Sequence, residues 1–340
     1  MRIIFILIIF FFTNCGTSVA PPFYAPPTEN IASPHPLRII AIDVGQGDAT
    51  LIIAPNGEAM LIDAGPAANS ERVMEALKRE QINALAWIAV THYHEDHVGG
   101  LGRVLNGFDN ISGNSNDFNP KAFLDRGLEL IPQNEIITTY LERTQNQRRA
   151  LKIGDSITFG GVVLEVVTAN GNDQVQSEAL DENSLSLSFL ISYHDFRFFL
   201  AGDITGGGGN PPFDTIDIES IISGSIGDVD VLRVAHHGSH TSTQSSFLEK
   251  ITPEVAIISL GNGNDFFHPH QTVIDALLEK DIHVFQTERG WAKNEDVSIV
   301  EGDIEIQSFG EDYQVIGHPR EKMPEVLYSS AESAEGKQLP

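Results

Sequence analysis

Short apolar runs separated by turn residues follow the N-terminal segment of the chain. The segments LRIIAIDV (37–44), ATLIIA (49–54) and AMLIDAG (59–65) have the length and the β-branched content of strands. In SERVMEALKRE (70–80) the apolar residues fall on one helical face, so the spacing predicts a helix. The run ALAWIAVTH (84–92) is too continuously apolar for an exposed strand and predicts a buried one.

The remaining apolar pattern alternates between strands and helices. Residues 101–150 are more polar and contain one predicted helix near NEIITTYLERTQNQ, so we expect them to form a surface excursion. Beyond them, predicted strands cover 155–169, 184–193, 196–204, 229–235, 254–261 and 282–287. Predicted helices lie near 214–223, 242–250 and 272–280, and a last pair of strands ends near Ser308. A meander of strands followed by alternation with helices predicts an α/β fold with mixed sheets.

The N-terminal residues 1–20 have the pattern of a signal sequence. The apolar run from Ile3 to Phe12 is shorter than the ~20 residues that span a bilayer, but it fits a secretory core. Cys15, the one cysteine of the chain, follows at once, which predicts cleavage before it and a lipid-anchored protein at the membrane. Cleavage after Ala20 with free secretion, or an uncleaved anchor, are the alternatives. All three place the protein outside the cytoplasm, in the periplasm or at the cell surface in the lipoprotein case.

Composition divides the rest of the chain. Residues 21–36 are rich in Pro, Ser and Ala and are predicted to be a tether, residues 37–308 a folded domain, and residues 309–340 a disordered tail. The balance of 21 basic and 47 acidic residues gives a formal charge of −26, which repels polyanions and disfavours tight binding of nucleic acid.

The stretch THYHEDHVGG (91–100) is dense in potential metal ligands. His92 and His94 fall on the same side of an extended backbone, so both can face one ion. Asp96 and His97 follow where the chain turns and can face a second ion. A solvated histidine-rich loop is the alternative, but four such groups directly after a buried strand favour zinc, which takes imidazole and carboxylate ligands.

Two later strand ends carry further ligand types. Asp203 follows the apolar run FFLA, and VAHHGSH places His236 and His237 after another predicted strand. Layered α/β proteins gather their sites at strand ends, so we expect these groups to meet the first cluster.

Together these segments resemble the metallo-β-lactamase superfamily, and in particular the hydrolase domain of ComEC-type competence and DNA-uptake proteins. The resemblance rests on DVGQGDATLIIAPNGEAMLIDAG, THYHEDHVGG, ENSLSLSF, FFLAGD, VDVLRVAHHGSHTS and HPH, in collinear order over about residues 37–308. It implies a four-layer αββα sandwich with two mixed β-sheets, in a form that stands alone behind a signal sequence.

The resemblance also implies two divalent metal ions, zinc or manganese. One would be held by His92 and His94, the second by Asp96, His97 and His237, with Asp203 bridging both; His236 is the alternative to His237 or a substrate contact. Asp63 matches an aspartate that orients the ligand segment. Asp43 and Asp48 flank a glycine turn and are candidates for the same supporting role, with a purely structural turn as the alternative.

Many members of the superfamily place a third histidine on the first metal. The one histidine in that interval is His194, in a predicted hairpin turn, and we interpret it as a surface residue. The first metal would then keep a position for water or a substrate oxygen, near Asn183, for which an ordinary turn is the alternative. His268, in a late loop, matches a histidine that holds phosphate in related phosphoesterases.

The resemblance implies a binuclear hydrolase that cleaves a phosphodiester with a metal-bridging hydroxide, with Asp96, Asp203 and His268 as its catalytic residues. Nucleic acid is the substrate that the nearest relatives suggest, although the net charge speaks against it. The alternatives are a small or envelope-presented phosphodiester such as a phosphocholine ester, a lactone or β-lactam, and a lipid-anchored accessory protein whose metal site is structural.

Overall fold

Two β-sheets form the middle layers of the computed structural model, which describes residues 35–172, 181–209 and 214–330. The strands of these ranges are β1 (Leu37–Ala41), β2 (Thr50–Ile53), β3 (Ala59–Ile62), β4 (Trp87–Ala89), β5 (Ala122–Asp125), β6 (Arg148–Ala150), β7 (Ser156–Phe159), β8 (Val162–Thr168), β9 (Ser188–Tyr193), β10 (Phe196–Leu200), β11 (Val231–Arg233), β12 (Val255–Ile258), β13 (His283–Gln286), β14 (Ser298–Ile299), β15 (Gly302–Ser308), β16 (Tyr313–Pro319) and β17 (Glu325–Ser329). The helices are α1 (Ser70–Arg79), α2 (Glu95–Val98), α3 (Leu101–Leu105), α4 (Glu135–Thr144), α5 (Ile218–Ile226), α6 (Ser245–Ile251) and α7 (Gln271–Leu278).

Each sheet combines an antiparallel part with a parallel part. The first has the order β17-β16-β15-β1-β2-β3-β4-β5-β6, and its strands from β3 to β6 run parallel. The second has the order β14-β13-β12-β11-β10-β9-β8-β7, with parallel strands from β10 to β14. Parallel strands open their carboxyl ends on one edge of a sheet, which is where α/β proteins place their sites.

Three apolar clusters hold the layers together. The first lies between the two sheets and includes Phe189 and Ile304, both fully buried. The second joins the first sheet to α1, α3 and α4, where Leu77 is buried on the inner face of its helix. The third joins the second sheet to α5, α6 and α7 through residues such as Leu248 and Ile274. Helices therefore cover both outer faces, and the predicted α/β class with two mixed sheets is confirmed.

The prediction of a disordered tail from residue 309 is wrong for the part of the tail that the structure describes. Strand β16 pairs with β15 along its whole length, from Gly302 opposite Pro319 to Ser308 opposite Tyr313. Tyr313 and Val315 alternate with half-buried residues, which is the period of a strand. The Glu, Lys and Pro residues of 309–340 make this short alternation hard to recognise in the sequence.

Two other expectations need adjustment. Residues 101–150 are more than a surface excursion, because β5 is a buried strand of the first sheet. The helix expected near 214–223 begins four residues later, at Ile218, after the Asp217 side chain that caps it.

The predicted signal sequence, Cys15 and most of the tether lie outside the described residues, as do residues 331–340. In the part of the chain that is described, no helix has the length and apolar character needed to cross a bilayer.

Candidate metal centre

The carboxyl ends of β4, β10 and β11 meet at a cavity of about 510 Å³. Its wall contains ten residues: Gln46, His94, Glu95, Asp96, Asn183, Asp203, His236, His237, Phe266 and His268. Most of the residues predicted to hold metal therefore face a single opening, although they come from segments more than a hundred positions apart.

Asp203 lies at the centre of the imidazole cluster. Its Oδ2 is 3.8 Å from His92 Nε2 and 3.4 Å from His97 Nε2. The ligand atoms of these three residues lie within 4.8 Å of one another, close enough to hold one ion. His94 stands at the outer side of this group, with its Nδ1 3.1 Å from His92 Nε2.

A second group shares His97 with the first. His237 Nε2 lies 3.3 Å from Asp96 Oδ2 and 3.7 Å from Asp203 Oδ2, and Asp96, His97 and His237 satisfy the same 4.8 Å criterion. A single oxygen, Asp203 Oδ2, is thus within 4 Å of imidazole nitrogens from both groups. This is the position that a bridging carboxylate requires.

Hydrogen bonds on the far side of the His97 and His237 rings fix which nitrogen faces the other ligand atoms. His97 Nδ1 lies 2.8 Å from Asp63 Oδ2, and His237 Nδ1 donates to the carbonyl oxygen of Ser259 at 3.0 Å. Asp63 also accepts from the backbone N–H and the hydroxyl of Thr91, the residue before His92. Asp63 therefore lies where the sequence predicted a residue that orients the ligand segment.

The residues present fit divalent cations. Three buried polar atoms of the two ligand groups, His97 Nε2, His237 Nε2 and Asp203 Oδ1, have no hydrogen-bond partner within the described ranges. Leaving such atoms unpaired costs about 1–3 kcal/mol each, more for a charged group. A cation with imidazole and carboxylate ligands satisfies all three.

The charge distribution also favours a cation. Burial lowers the pKa of His237, but Asp203 and Asp96 outweigh burial and raise it to about 9. His97 has its pKa raised in the same way, against burial, by Asp203, Asp63 and Asp96. Burial raises the pKa of Asp203, but His97 and His237 reverse this and hold it well below its usual range. The carboxylates thus draw positive charge to the point where the ring nitrogens converge.

The His236–His237 pair occupies strained backbone. Both residues have left-handed φ angles, 50° and 53°, which non-glycine residues rarely adopt outside functional sites. The strain turns the two rings in different directions: His237 faces Asp96, whereas His236 Nε2 lies 3.1 Å from Asn183 Nδ2 on the cavity wall. The geometry therefore brings His237 into the ligand group and places His236 and Asn183 on the cavity wall.

His268 faces the cavity next to this pair. Its ring centroid is 5.5 Å from that of His236, and its Nδ1 is buried without a hydrogen-bond partner in the described part of the chain. Burial and the neighbouring His237 and His236 lower the pKa of His268 to about 2. The other histidine of the HPH segment, His270, instead pairs with His240 at 3.2 Å.

The two aspartates of the glycine turn lie in different surroundings. Asp48 Oδ1 accepts from the buried Arg233 and lies 3.6 Å from His237 Nδ1, where its charge helps to raise the pKa of His237. Asp43 contacts no predicted metal ligand; its carboxylate pairs with Arg72 and Arg320. The structure thus places Asp48 beside the metal centre and assigns Asp43 to a separate charge cluster.

Sequence reasoning missed a buried ion pair behind the ligand segment. Glu182 accepts from the backbone N–H of Tyr93 at 2.8 Å, between His92 and His94. Both carboxylate oxygens of Glu182 also accept from the fully buried Arg126, at 3.0 and 2.7 Å. The sequence did contain a signal for Arg126: it is a charged residue directly after the buried strand β5, and the other site residues also follow strand ends.

The family model described as metallo-beta-lactamase superfamily matches residues 42–262. Among curated proteins, the chain is similar to recombination protein 2 of Haemophilus influenzae, with 28% identity over 246 residues, which are 71% of this chain and 26% of that protein. It is also similar to ComE operon protein 3 of Bacillus subtilis, with 25% identity over 265 residues, 73% of this chain and 31% of that protein.

The chain thus spans about a third or less of the length of these curated relatives. Among solved structures, the metallo-beta-lactamase fold protein YhfI from Bacillus subtilis covers 81% of this chain with all of its own, at 12% identity and a TM-score of 0.48.

Proposed function

The chain belongs to the metallo-β-lactamase superfamily of hydrolases, and from this we propose that it cleaves a phosphodiester with two divalent metal ions. The observation that carries the proposal is the position of Asp203 Oδ2, within 4 Å of imidazole nitrogens from two ligand groups. His92 and His94 would hold one ion, and Asp96, His97 and His237 the other, with Asp203 between them.

Bound divalent ions would lower the pKa of a water molecule and polarise a phosphoryl oxygen. Asp203 Oδ1 has no hydrogen-bond partner in the described chain, and a carboxylate oxygen has more than one lone pair, so it would bind a cation and also accept from the attacking water, orienting it toward phosphorus. The low pKa of the Asp203 carboxyl keeps this oxygen an acceptor at neutral pH.

The part of the cavity wall beside His237 suits a phosphodiester monoanion because it offers uncharged donors. With a pKa of about 2, His268 is neutral at pH 7, and as the Nδ1–H tautomer it would donate to a phosphoryl oxygen. His236 and Asn183 stand beside the same opening. Donors aimed at the oxygens where charge develops stabilise the transition state.

The identity of the phosphodiester is a further part of the proposal. The similar protein from Haemophilus influenzae is named for recombination, which favours a nucleic-acid strand as the substrate. The formal charge of −26 opposes a substrate with many phosphates. We therefore propose that the chain acts on one phosphodiester at a time, at an end or in a short single strand.

Chelation tests the proposed chemistry. Hydrolysis of bis-p-nitrophenyl phosphate should stop in excess EDTA and return with Zn²⁺ or Mn²⁺, because the proposed reaction needs bound cations to activate the attacking water. Asp203→Asn should lower kcat by about a hundred-fold or more. His194→Ala, at the exposed turn between β9 and β10, is the matched histidine control and should keep the wild-type rate.

Full turnover in excess EDTA would exclude metal-dependent hydrolysis. Turnover of a β-lactam such as nitrocefin with much higher kcat/KM than any phosphodiester would instead indicate the lactamase chemistry of the superfamily.

A further inference from the structure

Three aromatic side chains are exposed in or beside the loop that carries His268, a residue of the cavity wall. Phe266, Phe267 and Trp291 are 60%, 58% and 48% exposed. They are three of the five exposed Phe and Trp side chains within the described ranges. Burying a side chain of this size typically stabilises a protein by about 1.5–3 kcal/mol, so a cluster left in water points to a binding surface.

The backbone presents these rings in a fixed arrangement. Trp291 donates its backbone N–H to His268 O at 3.1 Å and its indole N–H to Asn264 O at 2.6 Å. Phe267 packs against Trp291 with ring centroids 5.0 Å apart, and it has a left-handed φ of 62°, which is strained for a bulky side chain. These contacts join the aromatic cluster to the loop that carries His268.

Phe266 connects the cluster to the reacting centre. It lines the same cavity as Asp203 and His268, and its ring lies nearly parallel to that of His268, at 26° with centroids 5.7 Å apart. A group that stacks on Phe266 can therefore be joined by a few bonds to a phosphoryl group in the cavity.

We propose that Phe266, together with the Phe267–Trp291 pair, is a stacking surface for a planar heteroaromatic ring, such as a nucleobase, that the phosphodiester substrate carries. This inference rests on the proposed function, because it needs the phosphoryl group to lie at Asp203. Stacking uses no charge, so it attracts a base to a chain whose net charge of −26 weakens phosphate binding.

The arrangement of the rings favours a flat ligand over a quaternary ammonium group. A choline-type cation needs aromatic faces on several sides of it, each centroid within about 6 Å. Phe267 and Trp291 are in contact with each other, with centroids 5.0 Å apart, so no cation fits between them. Phe266 is occupied on one side by His268 and offers its other side to a ligand.

A pair of esters with the same leaving group tests the surface. We expect a higher kcat/KM for thymidine 5′-(p-nitrophenyl phosphate) than for methyl p-nitrophenyl phosphate. Phe266→Ala should lower the ratio of the two kcat/KM values by about ten-fold, within the roughly 5- to 150-fold that base stacking provides. Phe266→Tyr should keep the ratio, and so should Phe309→Ala, which removes an exposed aromatic ring outside the cavity wall.

Binding without hydrolysis provides a second readout. The chain has two tryptophans, so in a Trp87→Phe background the fluorescence reports on Trp291 alone. In EDTA, a thymidine pentanucleotide should quench this fluorescence with a saturable curve, and an abasic strand of the same length should not. Phe266→Ala should weaken the binding by about ten-fold.

The two readouts separate failure of the surface from failure of the proposed function. Hydrolysis of both esters with the same ratio in wild type and Phe266→Ala overturns the stacking surface but leaves the phosphodiesterase intact. Absence of hydrolysis with saturable quenching by the pentanucleotide refutes the phosphodiesterase and retains the surface. Equal quenching by the abasic strand, or quenching by phosphocholine alone, overturns the proposed surface.

Discussion

At the scale of single residues, two carboxylates that lie outside the cavity wall, Asp63 and Glu182, hold the ligand segment in place. Asp63 accepts three hydrogen bonds within the ligand segment, from Thr91 twice and from His97. Asp63 itself has a left-handed φ of 58°, so a strained backbone conformation holds this carboxylate in position. Glu182 has the same role from the other side, at the Tyr93 N–H.

Glu182 allows a test of this positioning role. Glu182→Ala removes the acceptor of the Tyr93 N–H and leaves the buried Arg126 guanidinium unpaired. We expect a loss of about 3 kcal/mol in the free energy of unfolding and a zinc affinity about 10- to 100-fold weaker. Urea unfolding and zinc titration against a competing dye measure the two effects.

Glu142→Ala, on the exposed face of α4, is the matched control and should change neither quantity. Unchanged zinc affinity in folded Glu182→Ala would contradict the positioning role and leave Glu182 as a purely structural residue.

At the scale of elements, the site is built from loops that follow parallel strands. The loops after β3, β4, β10, β11 and β12 supply, in that order, Asp63, the HYHEDH segment, Asp203, the histidine pair and Ser259. In the sheet that carries β3 and β4, the strands β15 and β16 lie beyond β1 and β2, toward the other edge. A cross-strand contact joins three neighbours here: Glu305 on β15 pairs with Arg38 on β1 and with His318 on β16.

This contact predicts a pH-dependent contribution to stability. Burial raises the pKa of Glu305, but hydrogen bonds from His318 and Arg38 outweigh it and lower the pKa to about 2, from an ordinary 4.5. Because the folded-state pKa is depressed, the stabilisation is fully present above pH 4.5 and is lost as the pH falls toward 2.

Glu305→Gln should therefore reduce the free energy of unfolding by about 2 kcal/mol at pH 6, and by clearly less at pH 3. Urea unfolding of both proteins at each pH measures the difference. A difference of the same size at pH 3 and pH 6 would show that packing around residue 305, and not its charge, is responsible.

At the scale of the whole molecule, the sequence predicted the residues that follow long apolar runs. His92, Asp203 and His237 were found because each comes after a buried strand, and an apolar run marks such a strand without any knowledge of the partner segments. The order of the elements also predicted an α/β fold with mixed sheets, and the family resemblance implied that there are two of them.

The remaining features depend on contacts between segments distant in the sequence. Arg126 and Glu182 are 56 positions apart, and each alone has the pattern of an ordinary surface charge. Asp43 has the same glycine-turn context as Asp48, but Arg320, 277 positions away, draws it into another cluster. The strand β16 has too few apolar residues to be recognised as a strand from the sequence. Its pairing with β15, along its whole length, holds it in the sheet.

The central claim is that two metal ions share Asp203, and the metal content of the protein tests it most directly. The chain would be dialysed to equilibrium against zinc and its bound metal counted by atomic emission spectrometry, alongside His237→Ala and the control His194→Ala. We expect two ions per chain in the wild type and in His194→Ala, and one in His237→Ala, because the ion held by Asp96 and His97 loses its third ligand. One ion per wild-type chain, or two in His237→Ala, would contradict the binuclear site.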